Sequence, residues 1–286
     1  MDITVEGHIS EKTGHGGLSY LELCHKGSVV HVYLLGAHVL HYQPVGEAPV
    51  LWQSQKSWFE AGEPIRGGVP ICWPWFGAHP TEENLPGHGL VRHAEWIPKD
   101  SSVTDESTSI TLQSPAAEDA GASLELVVEL GNALTLTLTT KNVSGAPLPL
   151  TEALHTYFAV SDISKVSISG LEEQLYIDAL PSDRPTLKQE GAITFSAEME
   201  RIYFDTAEEC IIHDSGLNRR IRVSKTGSRS TVVWNPWVAK AARTPDFGDD
   251  EYSEMVCVET ANCGPNGLEI APREEHAIQT QIQVLT

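Results

Sequence analysis

Hydrophobic and polar residues alternate along much of the chain with the period of two that is typical of a half-buried β-strand. The clearest example is the segment 133–139, in which leucines point to one face and threonines to the other. Similar stretches, separated by turn residues, lie at 18–24, 29–35, 124–130, 219–224, 231–234 and 277–285. Many short strands with frequent turns predict an all-β sandwich or barrel made mostly of antiparallel sheets.

The same pattern leaves little room for helices. Residues 57–61 are predicted to form at most one helical turn, and 118–121 to form a loop. The segment 244–253 is rich in Pro, Gly and Asp, so we predict an exposed loop within the domain. Because β-rich folds of about 200–250 residues often form one domain, we expect residues 1–286 to form a single domain.

The charge of the chain narrows the classes of partner. With 39 acidic and 19 basic residues the formal net charge is −20, which repels polyanions. Nucleic acid and anionic membranes are therefore not expected partners, whereas a small phosphorylated metabolite needs only a local pair of arginines.

The sequence contains no apolar run of roughly 18–20 residues and its first residues do not resemble a signal peptide, so we expect a cytoplasmic protein.

The five cysteines are odd in number and form no Cys-x-x-Cys motif. We therefore expect reduced thiols and no structural zinc site. The sequence also contains no ligand cluster at metal spacing, no P-loop and no dinucleotide fingerprint, so we expect neither a metal nor another cofactor. We expect the protein to be a monomer.

Four segments could carry chemistry. The first, 65–77, combines paired glycines, two prolines and large aromatic residues, which is typical of an irregular loop that lines a site. Arg66 could bind a phosphate or a pair of hydroxyls, and Trp73 and Trp75 could stack on a sugar ring. Alternatively, the tryptophans belong to a rigid turn that covers the core.

The second segment, 86–92, places His88 between two glycines. Its imidazole could bind a substrate hydroxyl, and Arg92 would lie on the same side if the segment, which leads into a predicted strand through Trp96, were extended. Alternatively, His88 is a solvent-exposed turn histidine.

The third and fourth segments are predicted strands whose residues alternate in direction. In 148–160 the leucines, Phe158 and Val160 form a core face, so His155 points to the other side. In 255–263 two valines set the buried side, so Glu259 also points away from the core, among apolar neighbours that should raise its pKa. The alternatives are an ordinary histidine on a sheet surface and a strand-end glutamate in solvent. Arginines, aromatic residues and an acid–base pair together indicate a sugar site.

Six segments together resemble the glucose-6-phosphate 1-epimerase (hexose-6-phosphate mutarotase) branch of the aldose 1-epimerase family. They read Arg-Gly-Gly-Val-Pro-Ile-Cys-Trp-Pro-Trp-Phe-Gly, His-Gly-Leu-Val-Arg, Leu-Thr-Glu-Ala-Leu-His-Thr-Tyr-Phe, Glu-Arg-Ile-Tyr, Val-Val-Trp-Asn-Pro-Trp and Cys-Val-Glu-Thr-Ala, in family order from residue 65 to 261. The resemblance implies a β-supersandwich, the galactose-mutarotase-like fold, with the site on a concave sheet face.

The resemblance also assigns roles to individual residues. His155 matches the general acid of the family and Glu259 its general base, while Arg66 and Arg92 match positions that bind a phosphorylated sugar, with His88 beside them. Family members usually carry Asp before Arg-x-Tyr, where this chain has Glu200. The sugar contact implied for Glu200 therefore has Asp205 as an alternative.

The resemblance, together with the acid–base pair and the two arginines, implies an isomerase that interconverts the α and β anomers of a hexose 6-phosphate, with glucose 6-phosphate expected first. A non-catalytic carbohydrate-binding protein would not need an opposed histidine and glutamate. A mutarotase of unphosphorylated aldoses would need that pair but not two arginines in the site. The expected partner is a small sugar phosphate.

Overall fold

A computed structural model describes residues 3–285, which form mainly β-strands. The strands are β1 (Ile9–Thr13), β2 (Ser19–His25), β3 (Ser28–Tyr33), β4 (His38–Gln43), β5 (Ile71–Cys72), β6 (Ile97–Val103), β7 (Thr108–Ser114), β8 (Ala122–Leu130), β9 (Leu134–Asn142), β10 (Leu148–Leu150), β11 (Glu152–Leu154), β12 (Tyr157–Ala159), β13 (Val166–Ser169), β14 (Leu175–Asp178), β15 (Thr186–Lys188), β16 (Ile193–Thr194), β17 (Met199–Tyr203), β18 (Cys210–Asp214), β19 (Arg219–Thr226), β20 (Ser230–Asn235), β21 (Met255–Asn262), β22 (Leu268–Ile270) and β23 (Glu275–Leu285).

Helical segments are short. The described residues contain one α-helix, α1 (Trp237–Ala241), and 3₁₀ turns at His15–Gly17, Val91–His93, Pro115–Ala120, Ile163–Lys165, Glu251–Glu254 and Gly264–Asn266. No helix among residues 3–285 is long and apolar enough to cross a membrane. The single turn predicted at 57–61 is not helical, and the loop predicted at 118–121 overlaps a 3₁₀ turn that begins at Pro115.

Each of the alternating stretches in the sequence overlaps a strand, and the strands pair antiparallel into open sheets. The largest sheet has nine strands in the order β16-β13-β18-β19-β23-β9-β8-β7-β6. A second sheet has the order β15-β14-β17-β20-β21-β11-β5, with β12 also paired to β21. Strands β1 to β4 form a third sheet, and β10 pairs with β22. The predicted antiparallel all-β architecture is confirmed.

The hydrophobic core lies between these sheets. One buried cluster contains Leu136 of the nine-stranded sheet, Val233 and Val258 of the sheet around β21, and Val30 of the N-terminal sheet. Because strand residues alternate in direction, the neighbours of Val233 along β20 and of Val258 along β21 point away from this core. The sheet around β21 therefore packs on the core with one face and builds a site with the other. That residues 1–286 form a single domain remains a prediction. Residues 1, 2 and 286 lie outside the described part of the chain.

Candidate active site

A cavity of about 190 Å³ opens on the face of the β21 sheet that points away from the core. It is smaller than the roughly 300–1,000 Å³ of pockets that hold drug-sized ligands, as suits a monosaccharide. Its walls combine charged, imidazole and aromatic groups. The lining residues are Arg66, Phe76, His88, His155, Tyr157, Glu200, Val232, Trp234, Lys240, Thr244 and Glu259. Six residues were expected at the site. Five of them line this cavity, namely Arg66, His88, His155, Glu200 and Glu259, whereas Arg92 does not.

His155 lies in a break between two short strands, because the predicted continuous strand is divided into β10, β11 and β12. Its backbone N–H donates to the carbonyl of Pro70 at 3.0 Å, which ties the break to the glycine-rich loop. The imidazole stacks on Tyr157, with ring centroids 4.9 Å apart and 15° between the planes. Only 12% of the side chain is exposed. The prediction that His155 points away from the core is confirmed.

Glu259 lies in the middle of β21, opposite Val232 of β20, and its side chain is 1% exposed. Its Oε1 is 3.3 Å from Nε2 of His155. Its Oε2 has no hydrogen-bond partner among the described residues, although it is buried. An acceptor in this state is costly unless a ligand supplies a donor. The alternative of a strand-end glutamate in solvent is therefore wrong.

Burial changes the protonation of this pair. It raises the pKa of Glu259 well above 4.5, an effect that Glu200 increases. It lowers the pKa of His155 well below 6.5, and His88 and Arg66 lower it further. Both directions favour the neutral forms, in which the pair holds one proton, on the carboxyl group. Transfer of this proton across the 3.3 Å contact gives the carboxylate–imidazolium form with the same total number of protons.

Arg66 is held from two sides. Its Nε and Nη2 donate to the two carboxylate oxygens of Asp246 at 3.0 and 3.2 Å, and its Nη1 donates to the Tyr157 hydroxyl at 3.0 Å. Burial disfavours the charge, but Tyr157 and Asp246 outweigh it and raise the pKa of Arg66. Three of the five N–H groups of the guanidinium are thus used, which leaves two for a substrate.

Asp246 corrects the prediction of an exposed loop at 244–253. Asp246 and Phe247 are buried, with 4% and 1% of their surfaces exposed. Phe247 packs on Trp52 with ring centroids 4.8 Å apart. The loop therefore folds over Arg66 and forms part of the support of the site.

Burial favours the neutral form of the His88 imidazole. Burial, with smaller contributions from Arg92 and Arg66, lowers its pKa to about 3. Its Nδ1 accepts the backbone N–H of Gly77 at 3.2 Å, which places the proton of the neutral ring on Nε2. The next residue, Gly89, has φ +81°, and a Cβ there would lie 1.8 Å from the carbonyl oxygen of Trp73. Because His88 lines the cavity, it is not the solvent-exposed turn histidine that was the alternative.

Arg92 does not line the cavity. The segment after His88 is not extended, since His88 and Gly89 have positive φ and residues 91–93 form a 3₁₀ turn in place of the predicted strand. The Nη2 of Arg92 donates to the carbonyl of Gly87 at 2.7 Å, directly beside His88. Its contact with a phosphorylated sugar stays a prediction that the geometry does not favour.

Glu200 and Lys240 form a wall of the cavity that only partly agrees with the sequence analysis. Glu200 lies on β17, and its Oε2 is 3.6 Å from Nζ of Lys240 on α1. Lys240 also lies over the ring of Trp234, 5.8 Å from the centroid. Asp205, the alternative to Glu200, is outside the cavity, where it pairs with Arg229. Sequence reasoning missed Lys240, although it follows the Val-Val-Trp-Asn-Pro-Trp segment closely.

The aromatic wall consists of other residues than those first considered. Trp73 is fully buried in the core, where its Nε1 donates to Thr140. Trp75 is 8% exposed and its indole donates to the carbonyl of Pro86. Neither lines the cavity, whereas Phe76, Tyr157 and Trp234 do. The alternative, in which Trp73 belongs to a rigid turn over the core, is confirmed.

The thiols are free, as expected, and four of the five are buried. One of them changes the expectation about metal ligands. Cys257 shares its side of β21 with Glu259, and one potential ligand atom each of His155, Cys257 and Glu259 lies within 4.8 Å of the others. The linear sequence could not reveal this group, because His155 is about a hundred residues away from the other two.

Known proteins are similar to this chain in both sequence and fold. The aldose 1-epimerase family model matches residues 19–283. A protein of Escherichia coli named "putative glucose-6-phosphate 1-epimerase" is 36% identical over 234 residues, which are 80% of this chain and 78% of the relative. One of Cenchrus ciliaris with the same name is 37% identical over 245 residues, 80% of this chain and 74% of the relative.

Solved structures extend the similarity to the whole fold. A crystal structure described as a "putative mutarotase" from Salmonella typhimurium has a TM-score of 0.90 at 30% identity and covers 100% of this chain and 96% of its own. A galactose mutarotase-like protein from Clostridium acetobutylicum has a TM-score of 0.71 at 14% identity and covers 97% of this chain and 98% of its own. The galactose-mutarotase-like fold is thus confirmed. The chain belongs to the aldose 1-epimerase family and is a sugar epimerase.

Proposed function

We propose that the protein interconverts the α and β anomers of a hexose 6-phosphate, with glucose 6-phosphate as the preferred substrate. The observation that carries the proposal is the pairing of His155 with Glu259 at 3.3 Å in a monosaccharide-sized cavity whose lining also includes Arg66 and Lys240. The names of the curated relatives support the same substrate class.

The chemistry needs one base and one acid. Ring opening removes the proton of the C1 hydroxyl, delivers a proton to the ring oxygen and breaks the bond between C1 and that oxygen, which gives the open aldehyde. In the proposed reaction Glu259 is the base and His155 the acid. Rotation about C1–C2 turns the other aldehyde face toward the oxygen, and reversal of both proton transfers closes the ring to the other anomer.

The protonation of the pair fits this reaction. Because the resting pair holds its proton on Glu259, that proton first passes to His155, which creates the base and the acid in one step. The stack on Tyr157 fixes the plane of the imidazole during the transfer. Arg66 holds the Tyr157 hydroxyl and is itself oriented by Asp246. Two N–H groups of Arg66 and the Nε2–H of His88 remain for hydroxyl or phosphate oxygens.

Recognition of a phosphate in a chain with net charge −20 requires local cations. Among the residues that line the cavity, Arg66 and Lys240 are cationic and Glu200 is anionic, while the raised pKa of Glu259 reduces its negative charge. The cavity wall is therefore more positive than the protein as a whole. We propose that Arg66 and Lys240 contact the phosphate, that Glu200 binds sugar hydroxyls, and that Arg92 acts on the site through Gly87 and His88.

A substrate panel tests the function. Anomer exchange would be followed by NMR for glucose 6-phosphate, glucose and galactose, above the uncatalysed exchange of each sugar. We expect the highest kcat/KM for glucose 6-phosphate. Equal or higher kcat/KM for an unphosphorylated sugar would replace the proposal with a mutarotase of free aldoses.

A further inference from the structure

His155, Cys257 and Glu259 offer three ligand atoms of the kinds that bind zinc in proteins: an imidazole nitrogen, a sulfur and a carboxylate oxygen. Cys257 has no part in the proposed proton transfers. Its side chain is fully buried, yet it lies on the same side of β21 as Glu259, two residues away. The reaction therefore does not explain why a sulfur lies beside the acid–base pair.

The spacing of the ligand atoms suits a tetrahedral ion. Bond lengths of about 2.0–2.3 Å to zinc place the ligand atoms of such a site roughly 3.3–3.6 Å apart. Nε2 of His155 and Oε1 of Glu259 are 3.3 Å apart, and one ligand atom from each of the three residues lies within 4.8 Å of the others. The widest pair thus needs to close by about 1 Å, which side-chain rotation can supply.

The cavity gives an ion access to this group. His155 and Glu259 line the cavity wall, whereas Cys257 is fully buried and does not. An ion that enters from the cavity therefore meets the imidazole and the carboxyl group before it reaches the sulfur. The cavity side leaves the fourth coordination position to water.

The charges also balance. A divalent ion bound by a thiolate, a carboxylate and a neutral imidazole forms a neutral unit, which avoids the burial of net charge. The thiol and carboxyl protons leave to solvent when the ion binds. The nearby positive charge of Arg66 is already paired with Asp246.

We propose that His155, Cys257 and Glu259 bind a thiophilic divalent cation such as Zn²⁺ or Cd²⁺, and that the bound ion inhibits the enzyme by occupying both proton-transfer groups. The inhibition rests on the proposed function, whereas the binding does not. Mg²⁺, which prefers oxygen ligands, does not inhibit.

Cd²⁺ binding tests the site without any reference to activity. The full chain is titrated with Cd²⁺ while the ultraviolet charge-transfer absorption of the cadmium–thiolate bond is recorded, for the wild type, Cys257→Ala and Cys257→Ser. Cys210→Ala is the matched control, because Cys210 is also buried but lies on β18 in the other large sheet. We expect the tightest absorption step in the wild type and in Cys210→Ala, and its loss in both Cys257 variants.

Inhibition is measured on the same four proteins with Zn²⁺. We expect full activity without added metal in all of them, and inhibition of the wild type that EDTA reverses. Loss of a residue that hydrogen-bonds to a metal ligand costs about 10–100-fold in metal affinity. Loss of the ligand Cys257 itself should therefore raise the half-inhibiting Zn²⁺ concentration at least as much. Unchanged inhibition and an unchanged cadmium step in both Cys257 variants would overturn the proposal. A cadmium step that depends on Cys257 in a protein inactive on every sugar would leave the metal site standing and reject the proposed function.

Discussion

Replacement of the cavity cations tests how the enzyme recognises a phosphate. Arg66 and Lys240 line the cavity, whereas Arg92 donates to the Gly87 carbonyl and does not. We therefore expect Arg66→Ala and Lys240→Ala to weaken the use of glucose 6-phosphate more than the use of glucose. Arg92→Ala should affect both sugars by a similar factor, because it changes the support of His88 and not a phosphate contact.

The size of the effect follows from burial. A hydrogen bond to a charged group contributes about 1.5–3 kcal/mol, which corresponds to roughly ten- to a hundredfold in kcat/KM. Lys240 is 37% exposed and lies within 3.8 Å of two carboxylates, Glu198 and Glu200. Solvent and these neighbours screen its charge, so we expect about tenfold for Lys240→Ala. Arg66 is 24% exposed and also supports Tyr157, so its loss should reach the upper end.

The assay is anomer-resolved exchange NMR on both sugars for the wild type and the three variants, after thermal unfolding has shown that each variant folds. The decisive quantity is the ratio of kcat/KM for glucose 6-phosphate to that for glucose. Equal losses for both sugars in Arg66→Ala and Lys240→Ala would refute the assignment of the phosphate to this wall. If the ratio dropped only in Arg92→Ala, the phosphate contact would be assigned to Arg92 instead.

Two further predictions concern the acid–base pair and its support. Because the pair must hold one proton, kcat/KM should fall as the pH rises through the raised pKa of Glu259 and as the pH drops through the lowered pKa of His155. A pH profile whose acid limb is centred at the ordinary histidine value of 6.5 would contradict the effect of burial. Asp246→Asn should lower the free energy of unfolding by about 1–3 kcal/mol and slow turnover, since Arg66 loses its buried counter-ion; chemical denaturation and exchange NMR would check both, and unchanged values would exclude a supporting role.

The alternation of hydrophobic and polar residues predicted the strands and the direction in which the side chains of His155 and Glu259 point. Alternation works because a strand residue points to the side opposite to its neighbours, whatever the rest of the chain does. Val256 and Val258 pack in the core, so Glu259 had to face the other side. The same reasoning placed His155, even though the strand around it is broken.

Long-range contacts decided what the sequence could not show. Asp246 pairs with Arg66 across 180 residues, and this pairing buries a segment whose composition predicts an exposed loop. Arg92 was placed by the same alternation as His155, but positive φ at His88 and Gly89 turns the chain out of the extended form. The pairing of β20, β21 and β12 brings Lys240 to the cavity. The same pairing brings Cys257 to the proposed metal ligands His155 and Glu259.

The most direct test compares two buried carboxylates of one sheet. Glu259 on β21 pairs with His155 in the cavity, and Glu152 on β11, which is also fully buried, pairs with His276 at 3.1 Å outside it. The measurement is the exchange rate between the anomers of glucose 6-phosphate with the wild type, Glu259→Gln and Glu152→Gln. We expect a loss of about 10²–10⁴-fold for Glu259→Gln and nearly normal exchange for Glu152→Gln. Nearly normal exchange with a folded Glu259→Gln enzyme would contradict the account.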